Sequence, residues 1–212
     1  IATPNRRGKS SPNTQEVYDL KGIRYNEYWG NQSGEVRNSR VKRIVEPIVM
    51  LNHRWTVSPK TTLRTNLGFQ FGEVGNSRLD YPGGANPSPY YYQKLPSYFL
   101  TQSGGADYEG AYRHEQDFRQ NGQLDWNRLY DANRNTKTAA YALYEDRNDD
   151  TQLTANTILR SELNDNITLI GTLQHRSLKS ENFAEILDLL GTSGYLNVDA
   201  YDGTQFDLND PD

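Results

Sequence analysis

The chain contains no cysteine, which excludes disulfides and thiolate metal sites. Its three histidines, His53, His114 and His175, fall at no metal-binding spacing. Long apolar runs are missing as well. Stretches such as "PIVML" at residues 47–51 stay far short of the roughly 20 residues needed by a membrane-spanning helix. Basic charge is not in surplus: 23 Lys and Arg against 27 Asp and Glu leave a net charge of -4, with no electrostatic footprint for nucleic acid. No Gly-rich phosphate loop follows a strand, and no nucleophile stands paired with a base, so neither catalysis nor a cofactor is expected. No signal peptide opens the chain and its single methionine is Met50, so a piece of a longer protein is expected.

What is present points elsewhere. With 34% hydrophobic residues, 15 Tyr and a mean hydropathy of -0.89, the chain is too polar for a compact enzyme and too aromatic for a disordered segment. Two stretches alternate with period two. In "VMLNHRWTVSPKTTLRTNLGFQF", residues 49–71, odd positions carry Val49, Leu51, His53, Trp55 and Val57, then Leu63, Leu67, Phe69 and Phe71. Even positions carry Asn52, Arg54, Thr56, Arg64, Asn66 and Gln70. "SPK" at 58–60 is a tight turn whose Pro59 pre-sets φ and lacks a ladder donor. A second hairpin around "LNDN", residues 163–166, repeats the scheme: Leu153, Leu159, Ile167, Leu169 and Leu173 on one parity, Gln152, Asn156, Arg160, Gln174 and Arg176 on the other. Side chains alternate along a strand, so each hairpin has one apolar and one polar face.

The remaining segments are rich in Gly, Pro, Asn, Asp and Tyr and are too long for the loops of a compact domain. Short turns at one end and long loops at the other are the asymmetry of outer-membrane barrels. The apolar faces run eight to ten residues, close to a tilted membrane-crossing strand. Trp55 near the short turn, and Phe69 and Phe71 near the long loop, occupy girdle positions. Arg54, Arg64, Arg160, Arg176, Glu46 and Glu162 on the other parity suit a wet lumen. His53 and His175 depart from this scheme, since both fall on the apolar parity; a location near an interface or a bulge would accommodate them. The alternative is a soluble β-sandwich with one solvated face.

The expected fold is therefore all-β: part of a large antiparallel transmembrane β-barrel, two hairpins with short periplasmic turns, and long extracellular loops containing short helices. Residues 1–43 are expected as an extracellular loop, 44–72 as a transmembrane hairpin and 73–150 as a long extracellular loop. Residues 151–178 are the second transmembrane hairpin, and 179–212 an extracellular loop with a short helix. That helix is expected in "NFAEILDLLG", with Asn182 as N-cap, Glu185 three residues on and Gly191 as terminator. A second is expected in "QLDWNRLYDAN", residues 123–133, and "TAAYALYED", residues 138–146, could extend the strand that starts near Asp150.

Several strings make the picture more specific: "NSRVKRIVEPIVMLNHRWTVSPKTTLRTNLGFQFGEVGNSRLDY", "NPSPYYYQKLPSYFL", "GQLDWNRLY", "YALYEDRNDD" and "LKSENFAEILDLLG". Together they resemble the barrel region of TonB-dependent receptors of Bacteroidota, of the type with an N-terminal carboxypeptidase-regulatory-like domain. The resemblance spans most of residues 20–210, and "YYQKLPSY" is its most distinctive part. It implies a barrel of about 22 strands in the cell outer membrane, filled by a plug. The partners it implies are outer-membrane lipid, that protein's own plug, the energising TonB complex and a surface lipoprotein.

Candidate ligand contacts are Tyr90, Tyr91, Tyr92 and Tyr98, set among Pro87, Pro89 and Pro96, and the lumen-side arginines Arg64, Arg160 and Arg176. A Pro-stiffened Tyr cluster is either a capture surface or a self-packed loop core. "NSR" occurs twice, at 38–40 and 76–78, and the copies could pair across adjacent strands. The acidic stretch with Asp199, Asp202, Asp207, Asp210 and Asp212 lacks the spacing of a calcium loop, and solvated carboxylates are expected there. The functional expectation is uptake of a ligand across an outer membrane. The alternatives are a soluble or surface β-rich binding module with Tyr-rich, glycan-binding loops, and a structural barrel subunit of an envelope assembly.

Overall fold

The computed structural model describes residues 4–199, 201 and 203–208. In chain order the elements are β1 (Asn5–Gly8), α1 (Gln15–Lys21), β2 (Trp29–Gln32), β3 (Glu35–Asn38), β4 (Val41–Val45), β5 (Ile48–Ser58) and β6 (Thr61–Asp80). A 3-10 turn at Tyr92–Lys94 leads into α2 (Pro96–Leu100), α3 (Tyr108–Asn121) and α4 (Trp126–Asn133). The chain continues through β7 (Ala142–Asn164), β8 (Ile167–Asp188), β9 (Leu196–Val198) and β10 (Gln205–Asp207). The main sheet has the order β1-β4-β6-β7-β8, with β5 also on β6; β2-β3 and β9-β10 are separate hairpins. The protein is thus β-rich, an antiparallel sheet of long strands with a few short helices. No closed barrel forms among the described residues.

Strands β6, β7 and β8 are 20, 23 and 22 residues long, several times the ordinary length. All three outrun the expected hairpins: β6 continues to Asp80, and β7 starts at Ala142, so "YALYED" does extend the strand. Strand β8 overturns an expectation, because it carries residues 182–188 in extended form where a helix was foreseen. The reason lies in competition between local capping and a ladder. Asn182 turns its side chain to Ser180 Oγ (3.5 Å) instead of capping, and β7 offers backbone partners along this stretch. The terminator does act: Leu190 (φ 49°) and Gly191 (φ 93°) bend the chain away. The helix expected in 123–133 is present as α4, with Asp125 accepting from Arg128 N at 3.0 Å.

The chain divides into two compact units. Unit 1 takes in Lys42–Gly75 and Asp146–Ala184 with the residues up to Arg6. Unit 2 takes in Arg7–Val41, Asn76–Glu145 and the residues from Glu185 on.

Within unit 1, β5 pairs with β6 so that Leu51 stands opposite Leu67, His53 opposite Thr65 and Arg54 opposite Arg64. The one shift in this ladder falls between Thr56 and Ser58, so no bulge relieves His53, which keeps the apolar parity. Both short turns stand at one end of the ladder: Glu162 N donates to Lys60 O (2.9 Å), Thr61 Oγ1 meets Ser161 Oγ (2.8 Å), and Lys60 pairs with Asp165 (3.7 Å). The 164–166 turn closes on its own side chain, Asn166 N donating to Asn164 Oδ1 at 3.0 Å. At the other end, Gly72 (φ 143°) passes so close to β4 that a Cβ would lie 1.8 Å from Val45 O.

Unit 2 contains every buried apolar side chain among the described residues. Three clusters form its core: Trp126, Leu129, Tyr141 and Leu190 with neighbours; Val17, Tyr25, Leu95 and Phe118; and Ala139, Ala142 and Tyr195. Asn133, fully buried, ties the first together. Its Nδ2 donates to the carbonyls of Tyr141, Leu189 and Leu190, and its Oδ1 accepts from Ala140 N and Tyr141 N. The two NSR strings do lie side by side. Ser77 Oγ donates to Ser39 O (2.9 Å) and accepts from Val41 N (2.8 Å), while Arg40 covers the Tyr28 ring and Arg78 the Tyr144 ring.

Candidate functional site

Alternation along β5 to β8 gives unit 1 two chemically distinct faces. On the odd face, no position from the short turns up to Phe71 on β6, or in 151–163 and 167–177, bears a charge. Twelve large side chains there are between 41% and 76% exposed: Val49, Leu51, Trp55, Val57, Leu67, Phe69, Phe71, Leu153, Leu163, Ile167, Leu169 and Leu173. The band ends sharply at a charged row. Glu73 is held by both Arg43 and Arg147, Arg147 also reaches Asp149 (3.0 Å), and Lys179 pairs with Glu181 (3.0 Å). Eight to ten residues at about 3.3 Å each, tilted as barrel strands are, make a band about 25 Å tall. His53, Thr65 and Thr157 cross it as a polar row, the two hydroxyls 3.5 Å apart.

The even face holds the three arginines foreseen as ligand contacts. Arg64 stands directly opposite Arg54, a like-charge pair that solvent or an anion must screen. Arg160 reaches Glu162 at 3.5 Å, and Arg176 donates twice to Gln152 Oε1, at 2.6 and 3.0 Å. Asn66 Nδ2 donates to Asn156 Oδ1 (2.6 Å) on the same face. Polar contacts run across this face between neighbouring strands.

The four tyrosine candidates all belong to unit 2, but they divide into two kinds. Tyr90 packs on the Val17–Phe118 cluster; burial first, then a hydrogen bond with Tyr28, pushes its hydroxyl up to about 12. Tyr91, Tyr92 and Tyr98 form an edge-to-face chain, with centroids 4.8 Å apart for the first pair and 5.6 Å for the second. The chain runs on through Phe99 (5.5 Å) to His114, whose ring stacks on Phe99 at 4.1 Å. Tyr92 is 57% exposed and borders an open hollow with Ser97, Thr101 and Gln102.

A deeper cleft of about 620 Å³ lies between the 85–94 segment, α3 and α4. Lys94, His114, Asp117, Asp125 and Arg128 line it, with Pro87, Pro89, Phe118 and Leu129 as apolar wall. Helix α3, which builds one side, was not foreseen. Its signals were present: Asp107 accepts from Gly110 N as N-cap, Glu109–Arg113 and Glu115–Arg119 pair along the surface, and Gly122 ends it. No sequence pattern announced the cleft, because its walls come from three separate segments.

His53, His114 and His175 are not assembled into a site: His53 lies on β5 and His175 on β8, whereas His114 is on α3. Among the described residues no group of three or more metal-ligating side chains converges. Asp199 accepts from Tyr201 N (2.7 Å) and so closes a turn before β10. Asp202, Asp210 and Asp212 lie outside the described residues. Among the described residues no helix is long and apolar enough to cross a membrane, which leaves crossing by strands open. Compared with protein-family models, curated proteins and solved structures, the chain matches none.

Proposed function

We propose that the chain is a segment of a TonB-dependent outer-membrane receptor and transporter of Bacteroidota, in which β5 to β8 form part of the barrel wall. The supporting observation is the odd face of unit 1: charge-free over about 25 Å, bounded by a charged row, and only partly covered by the rest of that unit. Twelve half-exposed side chains at roughly 1 kcal/mol each leave on the order of 10 kcal/mol of apolar burial unrealised in water. That is comparable to the whole stability of a domain, so a soluble binding module would forgo as much as it has. Lipid covers such a face at no conformational cost.

In this role the odd face meets acyl chains, the even face with Arg54, Arg64, Arg160 and Arg176 lines a hydrated passage, and the short turns face the periplasm. Unit 2 supplies the capture surface. Plug, energising complex and any surface lipoprotein act through other parts of the transporter.

Quenching by brominated lipid tests the membrane contact. Variants retaining Trp55 alone, reconstituted with phospholipids brominated on the acyl chain, should lose most of their fluorescence, and variants retaining Trp126 alone should not. A monodisperse protein in detergent-free buffer with Trp55 unquenched would favour the soluble module. Because the chain has no cysteine, Ser58→Cys and Ser103→Cys report sidedness cleanly. An impermeant reagent on intact cells should label only the second. Uptake by a deletion strain, complemented or not, separates a transporter from a structural barrel subunit.

A further inference from the structure

We infer that the unit 2 cleft bounded by Lys94, His114 and Arg128 is a binding site for an amphipathic organic anion, a carboxylate or phosphate carried on a short apolar chain. Two cations of the cleft keep unused donors. Lys94 has three N–H donors; two go to the carbonyls of Asn86 (2.8 Å) and Ser88 (3.0 Å), which fix the ammonium in place and leave one donor free. Arg128 has its backbone N capped by Asp125, but its guanidinium makes no hydrogen bond or ion pair among the described residues. His114 places Nδ1 3.3 Å from Lys94 O and so donates there; its other ring nitrogen is an acceptor in the neutral ring and donates to an anion only as imidazolium.

The acids of the cleft each accept one hydrogen bond. Asp125 accepts from Arg128 N (3.0 Å) and Asp117 from Asn121 Nδ2 (2.9 Å). The free Lys94 donor and the Arg128 guanidinium are the groups an anion would match. Lys94 agrees: burial first, then the neighbouring Arg128, holds its ammonium below the ordinary lysine range. An anion placed between the two cations would relieve that repulsion. Pro87, Pro89, Phe118 and Leu129 offer apolar wall beside the charged end, and about 620 Å³ suits a small molecule.

The site belongs to unit 2 alone and goes beyond the membrane-wall function; either can fail without the other. The test is calorimetric titration of the full chain in dodecyl maltoside with butyl phosphate, butanoate and butanol at low salt. One anion per chain should bind saturably and butanol should not. Binding of butyl phosphate alone assigns a phosphate, and binding of butanoate alone a carboxylate. Arg128→Gln should weaken the bound anion about tenfold or more, Arg128→Lys less, and Arg113→Gln on the outside of α3 should change nothing. Arg128 is exposed, so its variants keep their fold, checked by circular dichroism. No saturable binding of either anion, equal binding of butanol, or an Arg128→Gln variant that binds as tightly as the parent overturns the inference.

Discussion

Leu51 and Met50 are neighbours on β5 with nearly equal exposure, 62% and 66%, yet they point to opposite faces of the sheet. Leu51 stands opposite Leu67 near the middle of the charge-free band, and Met50 opposite Gly68 among the polar residues. Arginine placed at each position therefore distinguishes lipid from water on the odd face. In a membrane wall, Leu51→Arg sets a guanidinium against acyl chains near the midplane and costs about 2–4 kcal/mol, whereas Met50→Arg meets a hydrated passage and costs close to nothing. The difference corresponds to a folded-to-unfolded ratio lower by roughly 30-fold to several hundred-fold. In a water-soluble sheet both changes would stay within about 0.5 kcal/mol, because both side chains are solvated already. Urea titration of the chain folded in phosphatidylcholine vesicles, followed by Trp55 fluorescence, measures the contrast directly. Equal midpoints for the two variants would refute the assignment of the odd face to lipid.

Three further outcomes are expected in unit 2. Tyr90→Ser should lower its stability by about 2 kcal/mol by removing a ring from the Val17–Phe118 cluster, while Tyr92→Ser, largely exposed, should stay within about 0.5 kcal/mol; thermal unfolding reads both. Asn133→Ala should cost about 3 kcal/mol or more, because carbonyls of Tyr141, Leu189 and Leu190 lose a buried donor together; hydrogen exchange at Ala140 and Tyr141 should accelerate. Burial raises the Asp188 carboxyl, but hydrogen bonds from Arg37, Leu190 N and Tyr130, with the charge of Arg37, outweigh it and hold the group below the usual range. A depressed carboxyl stabilises above its unfolded value near 3.9 and loses that contribution as pH falls through the folded value. Thermal midpoints measured from about pH 5 downward should therefore drop less steeply in Asp188→Asn than in the parent.

Alternation made the two faces of β5 to β8 legible in the sequence, because a period of two maps directly onto sides of a strand. Arg64, Arg160 and Arg176 share a face for that reason, and the two short turns follow from Pro59 and from Asn164. Local chemistry also sufficed for α4, where Asp125 caps and Trp126 and Leu129 bury. It did not suffice for residues 182–188, whose caps and apolar spacing fit a helix equally well; the backbone partners offered by β7 made them strand. No single segment could reveal which of four tyrosines packs on a core, since the cluster that half-buries Tyr90 brings Val17 and Phe118 from distant parts of the chain. The cleft is the same kind of object. Lys94 and Arg128 converge only because α3, α4 and the 85–94 segment pack together, and long-range packing leaves no periodic trace in the residues that take part. What repeats along a strand can be read residue by residue, whereas what meets across the chain depends on packing between distant segments.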